Sequence, residues 1–467
     1  MRTILLLVGI LWSLTNPLRA QPPVKPNVIF ILADDLGWGD LGCYGNSVIK
    51  TPNLDRLASQ GSLFTQFYVN ASVCSPSRTA LMTGQFPARL AIHGHFETEE
   101  LHQRRGMPNF LDPAVPTLTR LLQQNGYTTA HLGKWHLGNG PGAPLPGAYG
   151  LTIHHTSKSN DPEAGTTNDI WSPDRRPVST KIVVDQALAF LSEKRTNPFY
   201  LNLWLADPHA VLNPSEEQMA VYPALGAVKG VPHHPPRQIF YATVTEMDRQ
   251  LGRLLDYLDR NDLAENTLIV FSSDNGPEEI EVHNASHSGV GSAGPFRGRK
   301  RSLYEGGVRV PYLVRWPGRV PAGRVEDAAV LAGVDFLPTV CKLTNTPLPS
   351  GLKLDGEDRS AVWLGGSTPR ATPLLWEWRY RIWSHAVNHS PLLAIREGRW
   401  KLLLNPDRSR VELYDIPADP GELNNQAVNH PDLVERLARQ ALAWQQTLPK
   451  GLVEETAGKN DYPWPGR

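Results

Sequence analysis

Hydrophobic positions along this chain switch repeatedly between unbroken runs and helical spacings. Residues 27–33, Asn-Val-Ile-Phe-Ile-Leu-Ala, form a continuous apolar run of strand length, the mark of a strand covered on both faces. It stops at Asp34-Asp35. Thr51 then stands as an N-cap, with Pro52 in the first turn, Leu54, Leu57 and Ala58 on one face, and Gly61 past the end. The same reasoning predicts a helix over 117–125, closed by Gly126, and a strand over 128–132. Ile182, Val183, Ala187, Phe190 and Leu191 recur at helical spacing within 180–194. Strands are predicted over 199–205, 267–273 and 310–316, and a long helix over 238–258. This alternation predicts an α/β fold, a mostly parallel sheet sandwiched by helices.

The last hundred residues read differently. Short apolar stretches at 392–396, 400–404 and 412–415 have hairpin spacing, and a helical pattern follows over 432–446. A small antiparallel sheet packed with one helix is expected there. The stretch 345–369, rich in Gly, Pro and Ser, reads as a linker region. The chain thus divides into an N-terminal segment 1–20, a large unit over 21–375 and a smaller C-terminal unit over 376–467.

Four predicted strands run straight into polar clusters: Asp34-Asp35, Gly133-Lys134-Trp135-His136, Asp207-Pro208-His209 and Asp274-Asn275-Gly276. One such cluster can simply cap the next helix. Four of them, at the carboxyl ends of strands in an open α/β sheet, point to a binding edge. Asp34, Asp35, Asp274 and Asn275 offer only hard oxygens, which favours Ca²⁺, or less readily Mg²⁺, over zinc.

Composition changes the picture in three places. Lys plus Arg, 46, balances Asp plus Glu, 46, so no global basic excess marks a nucleic-acid binder. Three cysteines cannot build a disulfide framework, and Cys43 and Cys341 are equally readable as free or paired. Arg2, the short apolar stretch 4–12 and Ala20 read as an export signal, although Leu18 stands where a small residue is usual. Its removal leaves an exported chain, periplasmic or secreted, with no membrane span.

The densest motif is Cys74-Ser-Pro76-Ser-Arg78-Thr-Ala-Leu-Met-Thr83-Gly84. It resembles the Cys-x-Pro-x-Arg signature of type I sulfatases in the alkaline phosphatase superfamily. The resemblance continues through Gly126-Tyr-Thr-Thr-Ala-His-Leu-Gly133-Lys134-Trp-His136. It extends to residues 298–311 (including Lys300, Glu305 and Arg309), and to Ala394–Lys401 with Leu413-Tyr414-Asp415. It spans nearly the whole chain after residue 20. It implies a large mixed sheet of alkaline-phosphatase type over the catalytic unit.

The resemblance also implies chemistry. In that family the motif cysteine, here Cys74, is converted by a formylglycine-generating enzyme to formylglycine, whose hydrate attacks sulfur. Asp34, Asp35, Asp274, Asn275 and modified Cys74 match the metal ligands. Arg78 and Lys134 match residues that hold the nucleophile. Lys300 matches a sulfate-gripping lysine, His136 a base and His209 an acid, the last through the loosest motif. Arg297 and Arg299 are candidate sugar or sulfate contacts, although a basic run is more often a solvated face. His287, His283 and the pair His154-His155 are candidates for specificity. The implied substrate is a sulfated carbohydrate, with the tract 295–301 resembling the arylsulfatase A and N-acetylgalactosamine-6-sulfatase group. A phosphonate or phosphate-ester hydrolase of the same superfamily is the alternative.

Overall fold

A computed structural model describes residues 25–460 except Asn139, 161–168, Pro232 and 280–285. The expected signal over 1–20 and His283 lie outside the described residues.

The central sheet has eight strands. Their order is Arg324–Glu326, Ser62–Phe64, Tyr312–Arg315, Thr267–Ser273, Asn27–Ala33, Phe199–Trp204, Thr128–Lys134 and Ile153–Ser157. The five strands from Thr267–Ser273 to Ile153–Ser157 are mutually parallel. Tyr312–Arg315 runs antiparallel to Thr267–Ser273 and to Ser62–Phe64, which makes the sheet mixed. The apolar run at 27–33 shows why: Val28, Phe30 and Leu32 enter one buried cluster, while Ile29, Ile31 and Ala33 enter the other. Alternate residues point to opposite faces, so a strand covered twice must be apolar throughout. Helices Pro52–Ser59, Ser179–Ser192 and Pro236–Arg260 cover one face. Helices Cys74–Thr83, Leu118–Gln124 and Phe336–Leu343 cover the other.

The second unit is a four-stranded antiparallel sheet, Leu374–Glu377, Leu393–Glu397, Trp400–Leu404 and Val411–Asp415, packed with helix Pro431–Gln446. Its first strand lies across the boundary expected after residue 375. Cys43, Cys74 and Cys341 are all free thiols.

Three features depart from the expectations. The strand expected over 310–316 is divided at Pro311, which has no N–H to donate. Arg309–Val310 pairs with Phe67–Tyr68 in a separate small sheet, and Tyr312–Arg315 joins the large one. The linker region contains a short helix, Ser360–Trp363. Ile153–Ser157, with its polar His154-His155-Thr156 sequence, is an edge strand that no apolar run announced.

Candidate active site

The site lies where the parallel strands end. Helix Cys74–Thr83 begins there, and all ten of its residues are buried. Cys74 occupies its first position, so its side chain stands at the positive end of the helix. One turn on, Arg78 is fully buried. Its Nε and Nη2 donate to Asp274 Oδ2 at 2.9 and 2.7 Å, its Nη1 donates to the Lys134 carbonyl at 2.8 Å, and its guanidinium lies 5.1 Å from the Trp204 ring centre. The motif spacing now has a cause. Four residues along a helix return to the same face, so Cys74 and Arg78 face the strand ends together.

Asp34 and Asp35 follow the central strand directly. Lys134 Nζ donates to Asp34 Oδ2 at 2.6 Å. Lys300 Nζ lies 2.7 Å from Asp35 Oδ1 and donates to Asp35 Oδ2 at 2.8 Å. Asn275 Nδ2 donates to Asp35 Oδ1 at 2.7 Å. Two glycines permit this approach. Gly133 has φ +103°, and a Cβ there would stand 2.0 Å from the Trp204 carbonyl oxygen. A Cβ on Gly276 would stand 1.9 Å from the Gly306 carbonyl oxygen.

The donor set fits a hard cation. Asp34 Oδ1 and Asn275 Oδ1 are buried and have no hydrogen-bond partner among the described residues. A buried oxygen left in that state is costly unless a ligand completes it. Asp34, Asp35 and His209 also place one ligand atom each within 4.8 Å of one another. Burial alone would push Asp34 up, yet Lys134, His209, Arg78 and Lys300 hold it far below the usual carboxylate range. Burial and the Asp34 charge push Asp274 up instead. Burial opposes the charge on Lys300, but Asp35 and Glu278 hold its pKa above the ordinary lysine value.

The two histidines differ in state. His136 has φ +58°, and its Nε2 lies 2.9 Å from the Phe96 carbonyl, which can only accept. Nε2 therefore carries the proton, and Nδ1 is left bare and buried, with no hydrogen-bond partner among the described residues. Burial, then Lys134, pushes its pKa well below the ordinary value. His209 donates Nδ1–H to the Ala210 carbonyl at 2.7 Å, and its Nε2 faces Asp35 Oδ2 at 3.7 Å. Burial lowers its pKa although Asp35 and Asp34 oppose the shift. Its loop is tethered through Asp207, which accepts from Ser179 and Thr180 and pairs with Arg176. Burial raises the Cys74 pKa despite Lys134 and Lys300 nearby, so the residue stands as an un-ionised thiol.

Three expected contacts are not brought to this cleft. Arg297 donates to the Val387 and Glu422 carbonyls and stacks 3.8 Å from the Tyr304 ring centre. Arg299 is spent on the carbonyls of Glu278, Gly289 and Gly291. The physical reason is similar: both guanidiniums satisfy backbone carbonyls that lie outside the strands and so have no ladder partner. His287 is half-buried on the short helix Ser286–Val290, where His233 lowers its pKa further after burial does, and it does not line the cleft.

The cleft itself, about 470 Å³, is lined by Lys134, His136 and His209 and by residues the sequence did not single out: His95, Glu97, Lys158 and Trp171. Glu278, which pairs with Lys300 at 3.3 Å and with Arg301 at 2.5 Å, is a further unannounced partner. These residues lie in loops without periodicity, and only the fold brings them here.

The family model described as Sulfatase matches residues 26–346, and one described as N-sulphoglucosamine sulphohydrolase, C-terminal, matches 294–446. Arylsulfatase A of Bos taurus is 33% identical over 476 residues, spanning 92% of this chain and 89% of its own. N-acetylgalactosamine-6-O-sulfatase of Bacteroides thetaiotaomicron is 28% identical, spanning 90% and 93%. The crystal structure of Ps i-CgsB in complex with k-i-k-neocarrahexaose superposes with a TM-score of 0.75 at 27% identity, over 92% of this chain and 96% of that one. A phosphonate monoester hydrolase of Agrobacterium radiobacter, at 22% identity and TM-score 0.63, shares the fold. Signature, site geometry and relatives agree: the chain belongs to the sulfatase family and is a sulfuric ester hydrolase.

Proposed function

We propose that this enzyme removes sulfate from carbohydrates, using residue 74 as formylglycine and a bound Ca²⁺. The observation that carries the reading is the convergence of Cys74 and Arg78 with four hard-oxygen side chains, two of which present buried oxygens with no hydrogen-bond partner among the described residues. Relatives named for N-acetylgalactosamine-6-sulfate and a neighbour solved with a carrageenan oligosaccharide support the carbohydrate class. An un-ionised buried thiol is a poor nucleophile, which supports modification of Cys74 over direct thiolate attack. We also read residues 1–20 as an export signal, and among the described residues no helix is long and apolar enough to cross a membrane.

Asp34, Asp35, Asp274 and Asn275, with residue 74, would hold the cation, which when bound supplies charge that ionises an attacking oxygen at neutral pH. Formylglycine hydrate would supply a hydroxyl to attack sulfur and a second hydroxyl whose deprotonation expels sulfate. Lys134 and Lys300 bring ammonium groups to the developing negative charge on the sulfuryl oxygens, in a buried setting where such charge is worth most. His209, protonated, carries its second proton on Nε2, the atom positioned to hand it to the departing sugar oxygen. The bare Nδ1 of His136 accepts the proton that must leave for sulfate to be released.

The test is sulfate release from a panel of sulfated monosaccharides and oligosaccharides. The protein is co-produced with a formylglycine-generating enzyme, with Cys74→Ala as control. Release by the wild type alone is expected. If the mass of the residue-74 peptide shows full conversion and no sulfate ester is turned over, the reading fails, and matched phosphate and phosphonate esters become the substrates to try.

A further inference from the structure

The mouth of the cleft contains a cation that neither the metal site nor the proton transfers use. Lys158 follows the edge strand Ile153–Ser157, is exposed, and adopts φ +56°. Left-handed backbone in a lysine is uncommon and strained, so the surroundings must impose it. They do: His136 N–H donates to the Lys158 carbonyl at 3.2 Å, and Trp135 N–H donates to the Ser157 carbonyl at 2.9 Å. The same turn that aims His136 thus aims Lys158.

Its ammonium is held by an aromatic ring. Lys158 Nζ lies 5.1 Å from the Trp171 ring centre, and Lys134 Nζ lies 5.4 Å from the same centre. Trp171 is itself held by Nε1–H donation to Ser157 Oγ at 2.9 Å, and the Arg176 guanidinium lies 5.4 Å from it. With cations about it, the ring positions ammonium groups rather than offering a sugar-stacking face. Lys134 is neutralised by Asp34, whereas among the described residues Lys158 makes no ion pair. Glu97, the carboxylate in the same cleft, is hydrogen-bonded to His95 at 3.0 Å instead. Both ammonium groups lie within 5.4 Å of one indole centre, Lys134 buried and Lys158 exposed, so the two centroid distances added together are the most that can separate them. The cleft volume of about 470 Å³ falls in the small-molecule range of about 300–1,000 Å³.

We propose that Lys158 is a second anion-recognition point, selecting sulfated sugars that carry another anionic substituent, a second sulfate or a carboxylate, beside the ester being hydrolysed. This rests on the carbohydrate sulfatase reading above and names the substrate class within it.

The experiment compares kcat/KM on four probes using fully converted enzyme. They are 4-methylumbelliferyl sulfate, N-acetylgalactosamine 6-sulfate, N-acetylgalactosamine 4,6-disulfate and the unsaturated uronate-bearing chondroitin 6-sulfate disaccharide. At least one of the two bis-anionic sugars is expected to be preferred over the monosulfate by about tenfold, the worth of one charge-assisted hydrogen bond. Whichever is preferred separates a second sulfate from a carboxylate as the anion read. Lys158→Gln is expected to erase that preference, acting mainly through KM, and Lys158→Arg to keep most of it. Equal use of mono- and bis-anionic sugars by the wild type overturns the proposal. So does a preference that survives Lys158→Gln, or turnover of the aryl sulfate with all three sugars refused. Refusal of every sulfate ester by converted enzyme sinks the sulfatase reading itself, which is a distinguishable result.

Discussion

His131 lies completely buried between two indoles, with ring centres 5.0 Å from Trp135 and 4.8 Å from Trp204. Its Nε2 lies 3.2 Å from the Lys134 carbonyl, so the neutral ring helps hold the backbone that carries Lys134. Burial pushes its pKa from 6.5 down to about 3. The folded state therefore refuses a proton that the unfolded chain accepts. Its contribution to stability is complete above pH 6.5 and declines as pH falls toward about 3, by about 1.4 kcal/mol per unit. His131→Gln, which stays neutral, is expected to be less stable at pH 8 yet to lose less on acidification to pH 4. Thermal midpoints across that range check this, and parallel decline of variant and wild type would refute it. Sequence reading placed His131 inside the second signature but had no means to assign it. What a histidine in an apolar strand does there becomes readable only when its burial and partners are known.

At the scale of elements, the small antiparallel sheet is tied to its surroundings by charge as well as by apolar packing. Lys401 Nζ, on the third strand of the small sheet, lies 3.0 Å from Glu305 Oε1 and 3.0 Å from Glu422 Oε1, all fully buried. Glu422 accepts the Glu305 N–H at 2.6 Å, and burial pushes its pKa up to about 7 against the pull of Lys401. Next along the chain, Gly306 N–H donates to the Arg297 carbonyl and Gly276 N–H to the Gly307 carbonyl, so this clamp backs the loops that carry Lys300 and Asn275. Lys401→Met strands two buried carboxylates and is expected to cost about 3–5 kcal/mol. Adding Glu422→Gln should recover part of that loss. Calorimetric midpoints of the single and double variants test it, and purely additive losses would show that the groups do not act as a unit. The motif resemblance had marked Glu305 and Lys401 as matching positions without saying why. Elements were legible where burial is one-sided or regular: the run at 27–33 and the stripes at 52–59 and 236–260. The helix at 74–83 escaped periodicity because every face of it is buried, and residues 310–316 misread as one strand because Pro311 moves the chain between sheets.

Across the whole molecule, residues separated by hundreds of positions meet because parallel strands deliver their ends to one edge. That much was legible: the acids, amide, lysines and histidines assigned from strand ends and motifs are the ones that converge. The rim was not, because His95, Lys158 and Trp171 come from irregular loops whose placement depends on the finished sheet. Convergence has an electrostatic consequence. Asp34, Asp35 and Asp274 are all buried at the edge beside Arg78, Lys134 and Lys300, yet Asp34 Oδ1 and Asn275 Oδ1 have no hydrogen-bond partner among the described residues. A divalent cation that completed those oxygens would bind the folded chain and not the unfolded one, and so would raise stability by mass action. At about one hundred times its dissociation constant the gain is about 2.7 kcal/mol, a few degrees in midpoint. Chelator-treated protein is therefore expected to melt lower, to regain its midpoint with Ca²⁺, and to recover less with Mg²⁺, whose small octahedral shell suits this many protein oxygens poorly. Asn275→Ala removes one of the two unpartnered oxygens without removing a charge, and should shrink the Ca²⁺ shift while leaving the chelated midpoint nearly as it was. A Ca²⁺ shift of equal size in Asn275→Ala would move the cation away from these strand ends, and with it the assignment of the edge as the reaction centre.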